Sequence, residues 1–299
     1  MKIAIAGGSG FIGKAMCSAF IAQQYEVYIL TRQPEQLHKE AGATYVRWLH
    51  EGDHPENELE GVDAIINLAG LSLSSGRWTA ARKARILESR STTTQEIIRI
   101  INAMKQKPTV LLNASAVGYY GISRDHQFTE QDIVPPSDFL ATVVNSWEQE
   151  ALKSGIRTVL MRLGVVLGAG EGAFAKMLLP YKLYVGGRLG NGDQPLPWIH
   201  IDDVVQAAQY CMETPEIEGA VNFVAPQLVT MEQFGRVVAK QLNRPHYFPV
   251  PSMLLRLMLG EMSMLLLEGQ QVVPQKLQDH RYTFRYPELT DAIKSIIAR

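Results

Sequence analysis

Residues Gly7 to Gly13, GGSGFIG, follow the apolar run KIAIA of residues 2–6 and precede the helical pattern KAMCSAFIAQQ. A strand, a glycine turn and a helix in that order form a phosphate cradle. Gly7 permits the tight turn, Gly10 lets backbone approach a pyrophosphate, and Gly13 lets the helix pack close to the strand. The helix N-terminus then faces the phosphates. Ser9, Phe11 and Ile12 complete the turn and are assigned with the glycines to the cofactor.

Outward from that turn, short β-rich runs alternate with longer helical ones: EVYILT, DAIINLAG, ARILESRSTTTQEIIRIINAMKQ, TVLLNASA. Such alternation implies right-handed βαβ crossovers and a parallel sheet covered on both faces. The expected fold is α/β, a Rossmann doubly wound sheet with a small C-terminal substrate lobe. Past Gly164 the texture changes to the glycine-rich stretches VVLGAGEGAF and VGGRLGNGDQPLPW, then IHIDDVVQAAQYCME as a return helix. Residues 1–165, completed by about 195–225, are therefore expected to form the cofactor domain. Residues 166–194 and 226–299 are expected to form a discontinuous substrate lobe.

The end of the second strand selects the cofactor. Where an NAD site places an acid for the ribose 2′-hydroxyl, EVYILTRQ has Thr31 and Arg32. A carboxylate there would repel a 2′-phosphate and a guanidinium would grip it. The sequence points to NADP(H).

Composition excludes other classes. The 299 residues are 46% apolar with a net charge of −1, which offers no global field for nucleic acid or an anionic membrane. The N-terminal apolar run is broken by glycine too early for a signal-peptide core, so a cytoplasmic location is expected. Cys17 and Cys211 lie far apart in apolar helical patterns and read as buried small hydrophobes. The run Ser252–Leu267, SMLLRLMLGEMSMLLL, is too short for a bilayer span and is cut by Arg256 and Glu261. Its methionines at 253, 258, 262 and 264 read as core filler, with a homodimer or partner surface as the alternative.

GGSGFIG, INLAG (66–70), SAVGYYG (115–121), MRLGVVLG, GGRLGNGDQPLPWIHIDDVV and PVPSMLLRLMLGE together resemble the epimerase-like proteins of the YfcH type. These are atypical members of the extended short-chain dehydrogenase/reductase superfamily. The similarity spans nearly the whole chain and implies a Rossmann domain with a small C-terminal lobe, NADP(H) and a nucleotide-sugar-epimerase ancestry. Within those motifs Leu68, Ala69, Gly70 and Arg162 are read as cofactor-binding, and Gln194, Trp198 and His200 as substrate-binding; His200 is also a candidate cap for the return helix.

The superfamily carries Tyr-x-x-x-Lys followed four residues later by an acid, the tyrosine acting as general acid/base beside a pKa-lowering lysine. In DFLATVVNSWEQEA, residues 138–151, an acid at Glu148 puts Val144 in the lysine position and Leu140 in the tyrosine position. Neither can carry a proton. The remaining catalytic candidates are Ser115, Tyr119 and Tyr120. The functional expectation is an oxidoreductase or nucleotide-sugar-epimerase-like protein acting on a small molecule without the usual pair. The alternative is a non-catalytic NADPH-binding redox sensor.

Two further patterns are read as structural. HEGDH, residues 50–54, matches H-E-x-x-H in letters, but Gly52, Asp53 and Pro55 make it a turn, and no metal is expected. RWTAARKARILESR, residues 77–90, is expected to be a solvated helix face with Glu88 among its partners, although its arginines suit a phosphorylated ligand.

Overall fold

The computed structural model describes residues 1–35, 41–73 and 76–298. Its centre is a parallel seven-stranded sheet of β1 (Lys2–Ala6), β2 (Glu26–Thr31), β3 (Ala43–Arg47), β4 (Ala64–Asn67), β5 (Val110–Ala116), β6 (Arg157–Leu163) and β7 (Gly219–Phe223). Their order is β7-β6-β5-β4-β1-β2-β3. The chain starts in the middle, runs out to one edge and returns to build the other, which is the doubly wound arrangement the sequence implies. Ile5 sits in register between Ile29 and Ile66. Because helices cover both faces, the inner strands are continuous apolar runs, and every residue of AIIN in β4 is buried.

Four helices position the site. In α1 (Phe11–Ala22), Gly13, Met16, Cys17 and Phe20 form the buried stripe. The long α2 (Ala80–Ala103) starts where Thr79 Oγ1 accepts the Arg82 N–H at 3.2 Å. Helix α3 (Phe139–Ala151) is capped by Asp138, whose Oδ1 accepts the Ala141 N–H at 2.9 Å. Helix α4 (Ile201–Glu213) packs against α1. The glycine spacing has a steric cause. Gly7 takes φ +81°, and a Cβ at Gly13 would lie 2.2 Å from the Gly7 carbonyl oxygen.

A second core gathers Phe174, Leu178, Tyr181, Trp198, Phe234 and Ile293 from segments distant in sequence. It is tied to the sheet by Asp203 of α4, whose carboxylate accepts the N–H groups of Arg285 at 2.7 Å and Tyr286 at 3.0 Å. Burial raises the pKa of this carboxyl despite those donors. Cys17 and Cys211 are buried and unbridged, and burial pushes the Cys211 thiol up to about 12.

The run 252–267 departs from the expected core filler. Helix α5 (Ser252–Leu259) buries only Leu255, and Met253 and Met258 are 83% and 59% exposed. Met262 and Met264 do pack inward, against Leu71, Leu73, Phe139 and Leu140. Eight residues give barely two turns, and the one inward-facing stripe is filled by Leu255. Among the described residues no helix is long and apolar enough to cross a membrane.

Candidate cofactor cleft and reaction wall

A cleft of about 730 Å³ opens beside the glycine turn. Gly7, Ser9, Gly10, Thr31, Arg32, Leu68, Ala69 and Gly70, all assigned to the cofactor from sequence, line it together. Gly10 caps α1 without any side-chain hydrogen bond, so the helix N-terminus presents its N–H groups to the cleft. Glu88 is the one carboxylate among the described lining residues, against the guanidinium-bearing Arg32 and Arg85. Glycine turn, helix terminus and arginines together fit an anionic dinucleotide. Phe11 and Ile12, also assigned to the cofactor from sequence, are not in the lining: the Phe11 ring packs beside Gly168 and Gly172 and Ile12 packs on the main core.

Sequence reading missed what holds this cleft in shape. Asn67, wholly buried at the end of β4, donates to Asn113 Oδ1 at 2.7 Å and Thr94 Oγ1 at 3.2 Å, while its own Oδ1 accepts the Ala69 N–H at 3.2 Å. The turn at Leu68–Gly70 is thereby fixed by side chains of β4, β5 and α2. Buried Arg90 donates to the Leu71 carbonyl at 3.1 Å and lies over the Trp147 ring. Burial draws its guanidinium pKa down to about 10. The available signal was polar residues inside otherwise apolar periodic runs, each needing a partner.

The opposite side of the site is a closed wall. Ser115 ends β5, and the 3₁₀ turn Val117–Tyr120 folds onto α3 so tightly that a Cβ at Gly118 would stand 3.5 Å from Leu140 Cβ and 4.0 Å from Val144 Cγ2. Val144 packs with Val117, Tyr119, Tyr120 and Phe128; Leu140 packs with Trp78, Phe139 and Met264. At the two positions where the resemblance leads one to expect a tyrosine and a lysine, the contact is apolar. Behind it, Glu148 receives a bidentate pair from Arg162, Nε and Nη2 each at 2.8 Å, and the Ser115 hydroxyl at 2.5 Å. Arg162 Nη1 donates to the Tyr120 hydroxyl at 2.9 Å, which donates to Asn222 Oδ1 at 2.8 Å.

Burial works against the Arg162 charge, but the Glu148 carboxylate and the Tyr120 oxygen hold its pKa above the ordinary arginine value. Arg162, assigned to the cofactor from sequence, is thus engaged inside the protein and is not among the described residues lining the cleft. Burial also pushes Tyr120 up to about 12, and its hydroxyl is fully engaged, so Tyr120 is a poor proton donor. Tyr119 differs: the Arg162 guanidinium lies 3.4 Å from its ring centroid, and no described residue hydrogen-bonds its hydroxyl.

Comparison with known proteins shows the family and the fold. The model of the NAD dependent epimerase/dehydratase family matches residues 3–223, and that of a domain of unknown function, DUF1731, matches residues 250–296. The chain belongs to the NAD dependent epimerase/dehydratase family. It is 43% identical to the epimerase family protein YfhF of Bacillus subtilis over 100% of this chain and 98% of that protein. The human epimerase family protein SDR39U1, solved with NADPH, superposes with a TM-score of 0.89 at 32% identity, covering both chains fully. A Bacillus cereus UDP-glucuronic acid 4-epimerase shares the fold at 16% identity, TM-score 0.80, over 100% of this chain and 98% of that one.

In this family member the three residues read as substrate-binding are each engaged by partners within the chain. Gln194, 1% exposed, donates its amide to the Leu189 and Leu266 carbonyls at 3.2 and 2.6 Å, stapling the glycine-rich loop to the C-terminal segment. Trp198 is fully buried in the second core, its indole N–H on the Gln227 carbonyl at 3.1 Å. His200 caps α4, Nδ1 accepting the Asp202 N–H at 3.0 Å, and its ring lies 4.0 Å from that of Tyr286. Polar and aromatic side chains of this glycine-rich stretch satisfy the backbone of two converging segments, and His200 makes the helix cap expected of it.

HEGDH is a turn: Gly52 has φ +81°, and His50 Nε2 lies 2.8 Å from the Arg32 carbonyl oxygen. Among the described residues no group of three His, Cys, Asp or Glu side chains is placed to hold a metal. The basic segment is less solvated than expected. Arg77 reaches the carbonyls of Leu257 and Met258, the latter at 2.7 Å, and Lys83 pairs with Glu261 and lies over the Phe139 ring.

Proposed function

We propose that the protein binds NADP(H) and transfers hydride to or from a small molecule without the superfamily's tyrosine–lysine relay. The observation that carries this reading is the pairing of a built anion cleft, with Arg32 at its mouth, and a reaction wall filled by Leu140 and Val144. Thr31 and Arg32 would receive the 2′-phosphate, the glycine turn and α1 N-terminus the pyrophosphate, and Leu68–Gly70 the adjoining ribose. The cofactor would supply hydride chemistry. Of the chain's own groups, Tyr119 is the best-placed proton donor, because Tyr120 and Ser115 are committed to the Arg162–Glu148 pair. Ser115 keeps lone pairs with which to orient a ligand.

The experiment is a carbonyl and nucleotide-sugar panel with deuterated NADPH, followed by Tyr119→Phe. Loss of that donor should lower kcat by about 10² to 10⁴ while leaving NADPH affinity nearly unchanged. Turnover insensitive to Tyr119→Phe would remove it from the mechanism. The closed wall also supports a second reading, a redox sensor that binds NADPH without turnover, which would be favoured by NADPH binding with no hydride transfer across the panel.

A further inference from the structure

A second, open cavity of about 590 Å³ lies at the N-terminal end of α3, joined to the cofactor cleft by one apolar cluster that holds Leu71 of the cleft together with Phe139 and Met264 of the cavity. Its apolar surface comes from Ile122, Phe139, Met264 and Leu267. Ile122 closely follows the Val117–Tyr120 turn, and Phe139 is the first residue of α3, immediately before Leu140. The far side is supplied by the segment from Arg256 to Glu268, drawn onto the cofactor domain by the Lys83–Glu261 ion pair and by Arg77 on the Leu257 and Met258 carbonyls. The cavity therefore adjoins the apolar wall that replaces the proton relay.

Its size matches a small-molecule site, for which about 300–1,000 Å³ is usual. Its charge decides the ligand class. The two cations in the lining, Lys83 and Arg256, face three carboxylates, Asp138, Glu261 and Glu268. Lys83 is held by Glu261 and Phe139, Arg256 stands 3.8 Å from Glu268, and Glu268 also faces Arg124 at 3.6 Å. Asp138 is used as the α3 cap. A nucleoside diphosphate brings two negative charges into a rim with no surplus cation, and must break ion pairs to find one. An uncharged ligand leaves the rim intact and covers the apolar surface.

We propose that this cavity is the substrate site and that it takes an uncharged ligand with an apolar body rather than a nucleotide-sugar. This rests on the hydride-transfer reading above, which supplies the adjoining cofactor.

The test uses two optical signals on the full chain: NADPH's own fluorescence for the cofactor cleft, and the neutral probe N-phenyl-1-naphthylamine, in the presence of saturating NADPH, for the second cavity. The probe should bind at one per chain. Ile122→Asp, at a half-exposed position, and Met264→Trp, which fills the space, should each weaken it by about tenfold or more while NADPH binding persists. Leu257→Asp, on the exposed face of α5, should leave the probe unaffected, and millimolar UDP-glucose should not displace it. Displacement by UDP-glucose, loss with Leu257→Asp, or indifference to both cavity variants would overturn the proposal. Failure of NADPH to bind would instead overturn the cofactor reading, and the two failures are read from separate signals.

Discussion

The two sides of the reaction site are built on opposite principles. Around the glycine turn, backbone is exposed by design: Gly10 leaves the α1 terminus uncapped by side chains, and the neighbouring Leu68–Gly70 turn is held open by the buried Asn67–Asn113–Thr94 network. Across the site, the wall of α3 is packed shut. Val144 packs among Val117, Tyr119 and Tyr120, Leu140 packs with Trp78 and Met264, and the Ser115 hydroxyl points into a buried ion pair. The two sides share β5, whose Asn113 braces the cleft turn and whose Ser115 faces Glu148, but otherwise draw on different elements: β1, α1, β2 and β4 for the first, α3 and β6 for the second.

The largest expected effect falls on the closed side. Glu148→Ala leaves the Arg162 guanidinium, 4% exposed, without its carboxylate. Breaking such a pair costs about 3–5 kcal/mol, and chemical denaturation should show it as a lower midpoint with little change in slope. A loss below about 1 kcal/mol would mean that water reaches Arg162 and that the wall is more open than its packing.

On the open side, Arg32→Ala should remove most of the preference for NADPH over NADH. A charge-assisted contact of this kind contributes about 1.5–3 kcal/mol, roughly ten- to hundredfold in affinity. Equal affinity of the unmodified chain for both cofactors would break the assignment of the 2′-phosphate to Arg32.

What the sequence disclosed follows the same division. The glycine turn, its flanking strand and the end of β2 are local signals, because strand, turn and helix succeed one another within about a dozen residues, and the five residues they single out, Gly7, Ser9, Gly10, Thr31 and Arg32, line one cleft. The expectation that Leu140 and Val144 stand in the relay positions likewise needs only a spacing from Glu148. The cap made by His200 was legible as well, but the partners of Arg162, Trp198 and Gln194 were not, because each lies on another element: Glu148 through the α3–β6 packing, Gln227, and Leu266. The same holds for Arg77 and Lys83, whose partners lie about 180 residues away. Exposure of α5 was hidden because a short apolar run reads alike whether it faces core or water.

The smallest effect sharpens the account of the buried polar cluster beside the wall. Burial raises the Glu130 pKa above its ordinary 4.5, even though its carboxylate accepts the N–H groups of Asn222 and Lys276. In the window between 4.5 and the raised value the native state holds more protons than the unfolded one, so this residue's contribution is present below 4.5 and is lost as pH rises through the folded pKa. Relative to the unmodified chain, Glu130→Gln should show a stability that falls less over that window. Parallel pH profiles would place Glu130 in contact with solvent.

The most direct measurement of the central claim is a calorimetric titration of the unmodified chain with NADPH at about pH 8, in two buffers of different ionisation enthalpy. At that pH the 2′-phosphate, with a second pKa near 6, is already ionised. A relay of tyrosine and lysine beside the nicotinamide ribose would titrate near neutrality and couple cofactor binding to proton exchange. The account predicts saturable binding at one per chain with the same heat in both buffers, since the wall holds no group poised there. Absence of binding, or a buffer-dependent heat equivalent to about one proton per chain, would contradict it.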